Sequence, residues 1–227
     1  MRPSVIAIDG PAGSGKTIVG QRVARDLGYL YLDTGALYRA LAWLALDRGV
    51  DPRDGPALAR LARGASIETH RTSDGEDPGY SVTVDERDVT RDLSLPDVAN
   101  AASIIAAHPE VRAEMVPVQR QIADRGHVVI AGRDIGTVVA PDAGLKLFLD
   151  APLPVRISRR IEQLTTLGML PDPGKVAAEM AVRDRQDRTR AVGPLKPAPD
   201  AVILDTSTMS IDEEVAQILD LIAKRDP

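Results

Sequence analysis

The stretch "VIAIDGPAGSGKT", residues 5–17, decides how the rest of the chain is read. "VIAID" (5–9) is a near-continuous apolar run closed by an acid, as expected of a strand buried on both faces of a parallel sheet. "GPAGSGKT" (10–17) matches G-x-x-x-x-G-K-[ST], and a helical stretch, about 16–27, follows. Strand, glycine loop and helix in that order form a phosphate-binding loop. Gly10, Gly13 and Gly15 let the backbone turn its N–H groups inward around an anion. Pro11, Ala12 and Ser14 complete the loop, and the helix points its positive end at the same place. Lys16 can reach β- and γ-phosphates, and the Thr17 hydroxyl can ligate Mg²⁺. With Ile18, residues 10–18 form the predicted nucleotide-binding segment, for ATP or GTP.

Four further apolar runs end in the same way: "YLYLD" (29–33), "VVIAG" (128–132), "LKLFLD" (145–150) and "AVILD" (201–205). Helical patterns cover about 35–48, 97–107, 109–125, 152–167, 174–190 and 210–224. Strands alternating with helices predict a doubly wound α/β sheet, with ligands at the carboxyl ends of the strands. Residues 65–96 break the rhythm. There Tyr80, Val82 and Val84 alternate with Ser81, Thr83 and Asp85, as in an antiparallel hairpin with one wet face. "RTSDGEDPG" (71–79) reads as a turn-rich loop. The segment is taken as a small β-insert between core segments 1–64 and 97–227.

Composition narrows the class. The chain has 227 residues, 44% of them hydrophobic and 27% charged, and no cysteine, so disulfides and thiolate metal sites are excluded. A net charge of -5 argues against a general nucleic-acid binder. The first apolar run is too short for a signal peptide, and no run approaches the ~20 residues that cross a bilayer. A cytoplasmic protein without a membrane span is expected. The GTPase-switch reading fails, because no Asp-x-x-Gly occurs and the only Asn, Asn100, is followed by Ala.

A kinase needs an acceptor site, and the other strand ends offer one. After the second strand, "LDTGALYR" (32–39) places Asp33 where it can orient Mg²⁺-bound water, with Arg39 in the second turn of the helix. Thr34 reads equally as that helix's N-cap and as a site residue, and the two roles are compatible. After the third strand, "AGRDIGTVV" (131–139) puts Arg133 and Asp134 between glycines at the sheet edge. Ser103 and Arg112 would face opposite ways on one continuous helix. Pro109 breaks that helix and suits the first position of a new one, which lets both reach one site.

"RDRQDRTR" (183–190) is either a solvated helix face or a set of cations for phosphates. Helical spacing puts Arg183, Asp187 and Arg190 on one face, and Arg185 and Arg188 on the other. Arg far outnumbers Lys throughout the chain, so position rather than residue type carries the weight. Two arginine faces suit a lid between two anionic ligands. A sugar hydroxyl acceptor would need a carboxylate base. A nucleoside monophosphate offers an oxygen already ionised and needs cations instead. Arg39, Arg133, Arg183 and Arg190 favour the second acceptor.

These stretches, with "DVANAASIIAAHPEVR", "KLFLDA", "RDRQDRTRAVGPLKPAPDA" and "ILDTS", resemble the bacterial cytidylate kinases in order and over nearly the whole chain. The resemblance implies a P-loop kinase: a five-stranded parallel sheet of order 2-3-1-4-5, a helical lid over about 152–195, and a β-insert near the monophosphate. It implies ATP-dependent, Mg²⁺-dependent phosphorylation of CMP and dCMP by a monomer. Ser103, Arg112 and Asp134 would read the cytosine edge, and Arg183 and Asp187 the sugar. Thr34, Arg39, Arg133 and Arg190 would hold the acceptor phosphate. Arg185 and Arg188, with Lys16 and Arg133, are expected to serve catalysis at the ATP phosphates. Three departures stand out: Ala131 where the family often has Asp, Thr17-Ile18 in place of Ser-Thr or Gly-Thr, and Thr34 in place of Ser. UMP or AMP kinases, and a regulatory nucleotide-binding protein on the same scaffold, are the alternatives.

Overall fold

The computed structural model describes residues 2–71 and 80–225. Eight strands and eight α-helices lie along these residues. The central sheet has five parallel strands: β1 (Val5–Asp9), β2 (Leu30–Asp33), β6 (Val128–Gly132), β7 (Leu145–Asp150) and β8 (Val202–Asp205), in the spatial order β2-β6-β1-β7-β8. Counted as core strands in chain order, this is 2-3-1-4-5, the order the resemblance implied.

The apolar runs lack alternation because both sheet faces are covered. On one face Ile6, Ile8, Val129 and Leu147 pack against Val19 and Val23 of α1 (Lys16–Leu27) and Val215 and Ile218 of α8 (Ile211–Ala223). On the other, Ala7, Leu32 and Ile130 meet three more helices: Leu37 and Leu41 of α2 (Thr34–Asp47), Ala102 and Ile105 of α4 (Pro96–Ile105), and Val111 and Met115 of α5 (Pro109–Asp124). The helix ends follow local chemistry. Ser210 and Glu213 form a reciprocal capping box on α8. Asp172 caps α7 (Pro173–Thr189) through Gly174 and Lys175 N–H, with Pro173 at the first turn. Pro109 opens α5 after His108 takes an extended conformation, the break the sequence predicted.

Three features go beyond the sequence reading. α3 (Gly55–Gly64) was not expected; Asp54 caps it and Leu58 and Ala59 are buried, a short helix with glycine at both ends. A turn of π-helix spans Ile135–Val139. The insert holds a three-stranded antiparallel sheet rather than a hairpin: β3 (Ile67–Arg71), β4 (Tyr80–Val84) and the two-residue β5 (Arg87–Asp88). The turn-rich loop read over 71–79 lies, from residue 72 onward, outside the described residues. Tyr80, Val82 and Val84 face inward as their alternation required, in one apolar cluster with Ile6 and Ile8.

Parallel register aligns the strand ends. Asp9 pairs with Gly132 and Asp33 with Ala131, so three loops leave one edge of the sheet side by side. These are the glycine loop, "DTG" and "GRDIG". The remaining helix, α6 (Leu153–Thr166), forms with α7 a hairpin over that edge.

Candidate active site

A cleft of about 1910 Å³ opens at this edge, walled by the glycine loop, α2, the insert, α4 and the α6–α7 hairpin. The loop needs its glycines. At Gly10, where φ is 153°, a Cβ would lie 2.1 Å from the carbonyl oxygen of Leu149. Gly15 caps α1 at φ 91°, a left-handed conformation that L side chains rarely adopt. Lys16 lies back on the loop, donating to the Pro11 carbonyl at 2.6 Å and to Ser14 Oγ at 3.3 Å. Burial, and then the charge of Arg133, hold its ammonium well below the ordinary lysine range, against the opposing pull of Asp33. An anion beside Lys16 would oppose that shift and favour the charged ammonium.

Asp33 and not Thr34 caps α2: the Asp33 carboxylate accepts from Gly35 N–H at 2.9 Å and from Arg39 at 2.8 Å. Thr34 is already helical, and its hydroxyl donates across the sheet to the Ala131 carbonyl at 3.0 Å. Burial pushes the Asp33 carboxyl up, but Arg39, the Gly35 N–H and Arg133 outweigh it and leave it below the usual range.

Arg133 Nε donates to Asp187 on α7 at 2.7 Å. Burial raises the Asp187 carboxyl, and Arg133, Arg183 and Arg190 more than reverse it, so it too sits low. Arg183 stands beside this pair. Burial, followed by the neighbouring charge of Arg133, lowers it to about 10, with Arg39 and Arg160 adding to the effect and Asp187 opposing. Lys16, Arg39, Arg133, Arg160 and Arg183 thus crowd one end of the cleft.

The other end is a buried polar cluster. Asp134 pairs with Arg112 and with Arg190, the latter at 3.1 Å, and Arg112 also donates to the Tyr38 hydroxyl at 3.3 Å. Gly193, at φ 59°, folds over them; a Cβ there would lie 2.0 Å from Asp134 Oδ2. Ser103 faces the same space and donates to Gln186 Oε1 at 3.2 Å. The helix break at Pro109 does bring Ser103 and Arg112 to one cleft.

The structure brings together Lys16, Thr17, Thr34, Arg39, Ser103, Arg112, Arg133, Asp134, Arg183, Asp187 and Arg190, all along this cleft. It does not bring Arg185 and Arg188 there: both are exposed on the far side of α7. Sequence reasoning missed Arg156 and Arg160, one helical turn apart in "RISRR" of α6. Arg160 lines the cleft. Arg156 is buried and joins the Ala12 carbonyl of the glycine loop to Asp184 of α7, each at 3.0 Å. Their spacing was visible, but nothing in the sequence said that α6 faces the loop. For a divalent cation the donors at hand are the Thr17 hydroxyl and the Asp33 carboxylate, both lining the cleft. Such a sparse oxygen set fits a hard ion that keeps waters and shares phosphate oxygens.

A glycine loop on a parallel sheet, opening into a cationic cleft beneath a helical hairpin, defines a P-loop phosphotransferase. The fold agrees: a gluconokinase from Sinorhizobium meliloti 1021 superposes with a TM-score of 0.51 over 98% of this chain and 93% of its own, at 16% identity. The chain belongs to the cytidylate kinase family, whose profile matches residues 6–224. The cytidylate kinase of Pelotomaculum thermopropionicum is 46% identical over 94% of this chain and 93% of its own length. That of Geobacillus kaustophilus is 46% identical over 97% and 96% respectively. Among the described residues no helix is long and apolar enough to cross a membrane.

Proposed function

We propose that the protein transfers the γ-phosphoryl group of ATP to CMP or dCMP, giving ADP and CDP or dCDP. One observation carries this reading. A single cleft runs from the glycine loop, through Lys16, Arg39, Arg133, Arg160 and Arg183, to the buried Arg112–Asp134–Arg190 cluster. The first part suits two phosphate groups that repel each other. The second suits a base edge.

The acceptor oxygen of a monophosphate is already ionised, so transfer needs alignment and charge neutralisation rather than a base. Thr34, Arg39 and Arg133 hold the acceptor phosphate, with Arg190 nearby. Lys16 leaves the Pro11 carbonyl for the β- and γ-oxygens of ATP. Arg133, Arg160 and Arg183 stabilise the charge spread over the transferring group. Arg185 and Arg188 reach a phosphate only if the lid moves. Mg²⁺, held through Thr17 with Asp33 behind its waters, would neutralise the β- and γ-oxygens. Arg183 and Asp187 take the sugar. Asp134 accepts from the exocyclic amine of cytosine, where uracil presents a carbonyl. The insert, through Tyr80, Ser81 and residues 88–94, walls the acceptor end of the cleft. Leu167, Met169 and the fully exposed Leu170, at the tip of the hairpin, give the lid an apolar edge to close with, excluding water.

A coupled ADP-release assay with ATP-Mg²⁺ across CMP, dCMP, UMP and AMP tests the reading. CMP and dCMP should turn over fastest. Faster turnover of UMP or AMP would overturn the base assignment, and ADP release independent of any acceptor would overturn the kinase assignment.

A further inference from the structure

Asp9 is the last residue of β1 and the residue before the glycine loop, yet it does not line the cleft. Its side chain is 3% exposed. Its two carboxylate oxygens are used in different places: Oδ1 accepts from the Ile135 N–H at 2.7 Å and Oδ2 from the Gly136 N–H at 2.8 Å. Those amides open the π turn that follows Arg133 and Asp134. The surroundings are close on every side. A Cβ on Gly136 would lie 3.4 Å from Asp9 Oδ2, 3.2 Å from Lys146 Cδ and 3.4 Å from Ala198 Cβ, so the turn packs closely against the carboxylate. Lys146 directs its own charge away, to Asp200 at 2.9 Å.

The β1–β6 register alone leaves the turn undetermined. Backbone pairing ends at Asp9 and Gly132. Beyond it, the path of residues 133–136 is tied to the sheet by the Asp9 carboxylate. That path fixes where Arg133 and Asp134 point: one toward Asp187, the other toward Arg112 and Arg190.

We propose that Asp9 is a positioning residue for the acceptor nucleotide: by clamping the Ile135 and Gly136 amides it sets the direction of Arg133 and Asp134 and links the glycine loop to base recognition. The proposal deepens the phosphotransfer reading and rests on it for the identity of the acceptor. Asp9 touches no substrate; it acts through the turn.

The clamp depends on charge. An ionised carboxylate offers acceptors to both amides. A protonated one carries its proton on one oxygen, which makes that oxygen a weaker acceptor for its N–H. Burial raises the Asp9 carboxyl to about 6; the two amides and Lys16 oppose the rise, and Asp134 adds to it. Lys146 packs beside the turn with its charge turned to Asp200. Binding of the acceptor should therefore weaken as pH falls through about 6. The second ionisation of a monophosphate lies near the same pH. The decisive measurement for the clamp is accordingly made on the free protein.

In the full-length ¹⁵N-labelled protein, the Ile135 and Gly136 amide resonances should titrate together between pH 5 and 8 with a midpoint near 6. In Asp9→Asn they should not. The same variant should raise the KM for CMP about tenfold, as expected for one buried N–H left unpaired. It should reduce the preference for CMP over UMP and leave the KM for ATP within about threefold. Amides that do not respond in the wild type would overturn the proposal, as would an Asp9→Asn variant that raises both KM values equally or neither. Should Asp9→Asn fail to fold, the wild-type titration decides alone. If another monophosphate proved the better substrate, the base assignment would fall. The titration, and the contrast between acceptor and ATP KM values, would still judge Asp9.

Discussion

Arg112 and Asp134 form an ion pair whose side chains are only 2% and 7% exposed, 22 positions apart in sequence, joining the first turns of α5 to the segment after β6. Both charges have been taken out of water, and Arg190 supplies a second cation to the same carboxylate. Such a pair contributes little net stability against an apolar substitute, but removing one partner strands the other.

Arg112→Ala should therefore destabilise the protein by about 3 kcal/mol, the lower end of the range for a broken buried pair because Arg190 remains. Asp134→Ala alone should cost a similar amount, leaving two arginines unneutralised. The double variant should cost clearly less than the sum of the two. Urea unfolding of the four proteins in a double-mutant cycle measures this coupling. Strict additivity would show that the two side chains do not share their energy.

Base selection should depend on Asp134. In Asp134→Ala the amine of cytosine loses its acceptor and the carbonyl of uracil loses its repulsion. The ratio of kcat/KM for CMP over UMP should fall by about tenfold or more, in line with one buried hydrogen bond. Steady-state kinetics with both substrates decide the matter, and an unchanged ratio at an unchanged rate removes Asp134 from base reading.

The arginines of the α6–α7 hairpin should separate by position. Arg160 lines the cleft, whereas Arg188 is exposed on the far side of α7. Arg160→Ala should lower kcat by about 10²-fold, the scale for losing one group that stabilises developing charge. Arg188→Ala should have a smaller effect, confined to kcat, with the KM for CMP unchanged. A raised KM for CMP in Arg188→Ala would move that residue to the acceptor side.

Glu214 offers a test by pH. It lies under the glycine loop, its Oε2 3.4 Å from where a Gly15 Cβ would stand, and that oxygen has no hydrogen-bond partner. Burial raises its carboxyl to about 7, against the pull of Arg159. A folded-state pKa raised above the unfolded value means that the folded protein holds the proton more tightly. Stability from this group is complete below about 4.5 and is lost as pH rises through about 7. Glu214→Gln keeps the shape without the charge. It should match the wild type near pH 4 and exceed it by on the order of 1–2 kcal/mol at pH 8, read from thermal or urea unfolding. A variant no more stable at pH 8 than the wild type would show that the carboxyl ionises there without cost.

The sequence by itself determined the sheet, the glycine loop and the cation-rich character of the site, because these follow from short-range rules. Buried strands show as apolar runs, a phosphate loop needs glycines and lysine at fixed spacing, and Pro109 suits the first turn of a new helix. Helical spacing alone put Arg183, Asp187 and Arg190 on one face, and those three line the cleft. What lies across the site depended on tertiary contact. Asp33 takes the cap because its carboxylate can hold the Gly35 N–H and Arg39 together, freeing Thr34 to reach the neighbouring strand. Arg156 and Arg160 join the site because α6 packs against the glycine loop. Asp9 reads as the polar end of a strand; only the parallel register, which sets it beside the turn after Gly132, gives its two oxygens the amides of Ile135 and Gly136. Periodicity fixes which way a residue faces on its own element, whereas its partner is chosen by elements far along the chain.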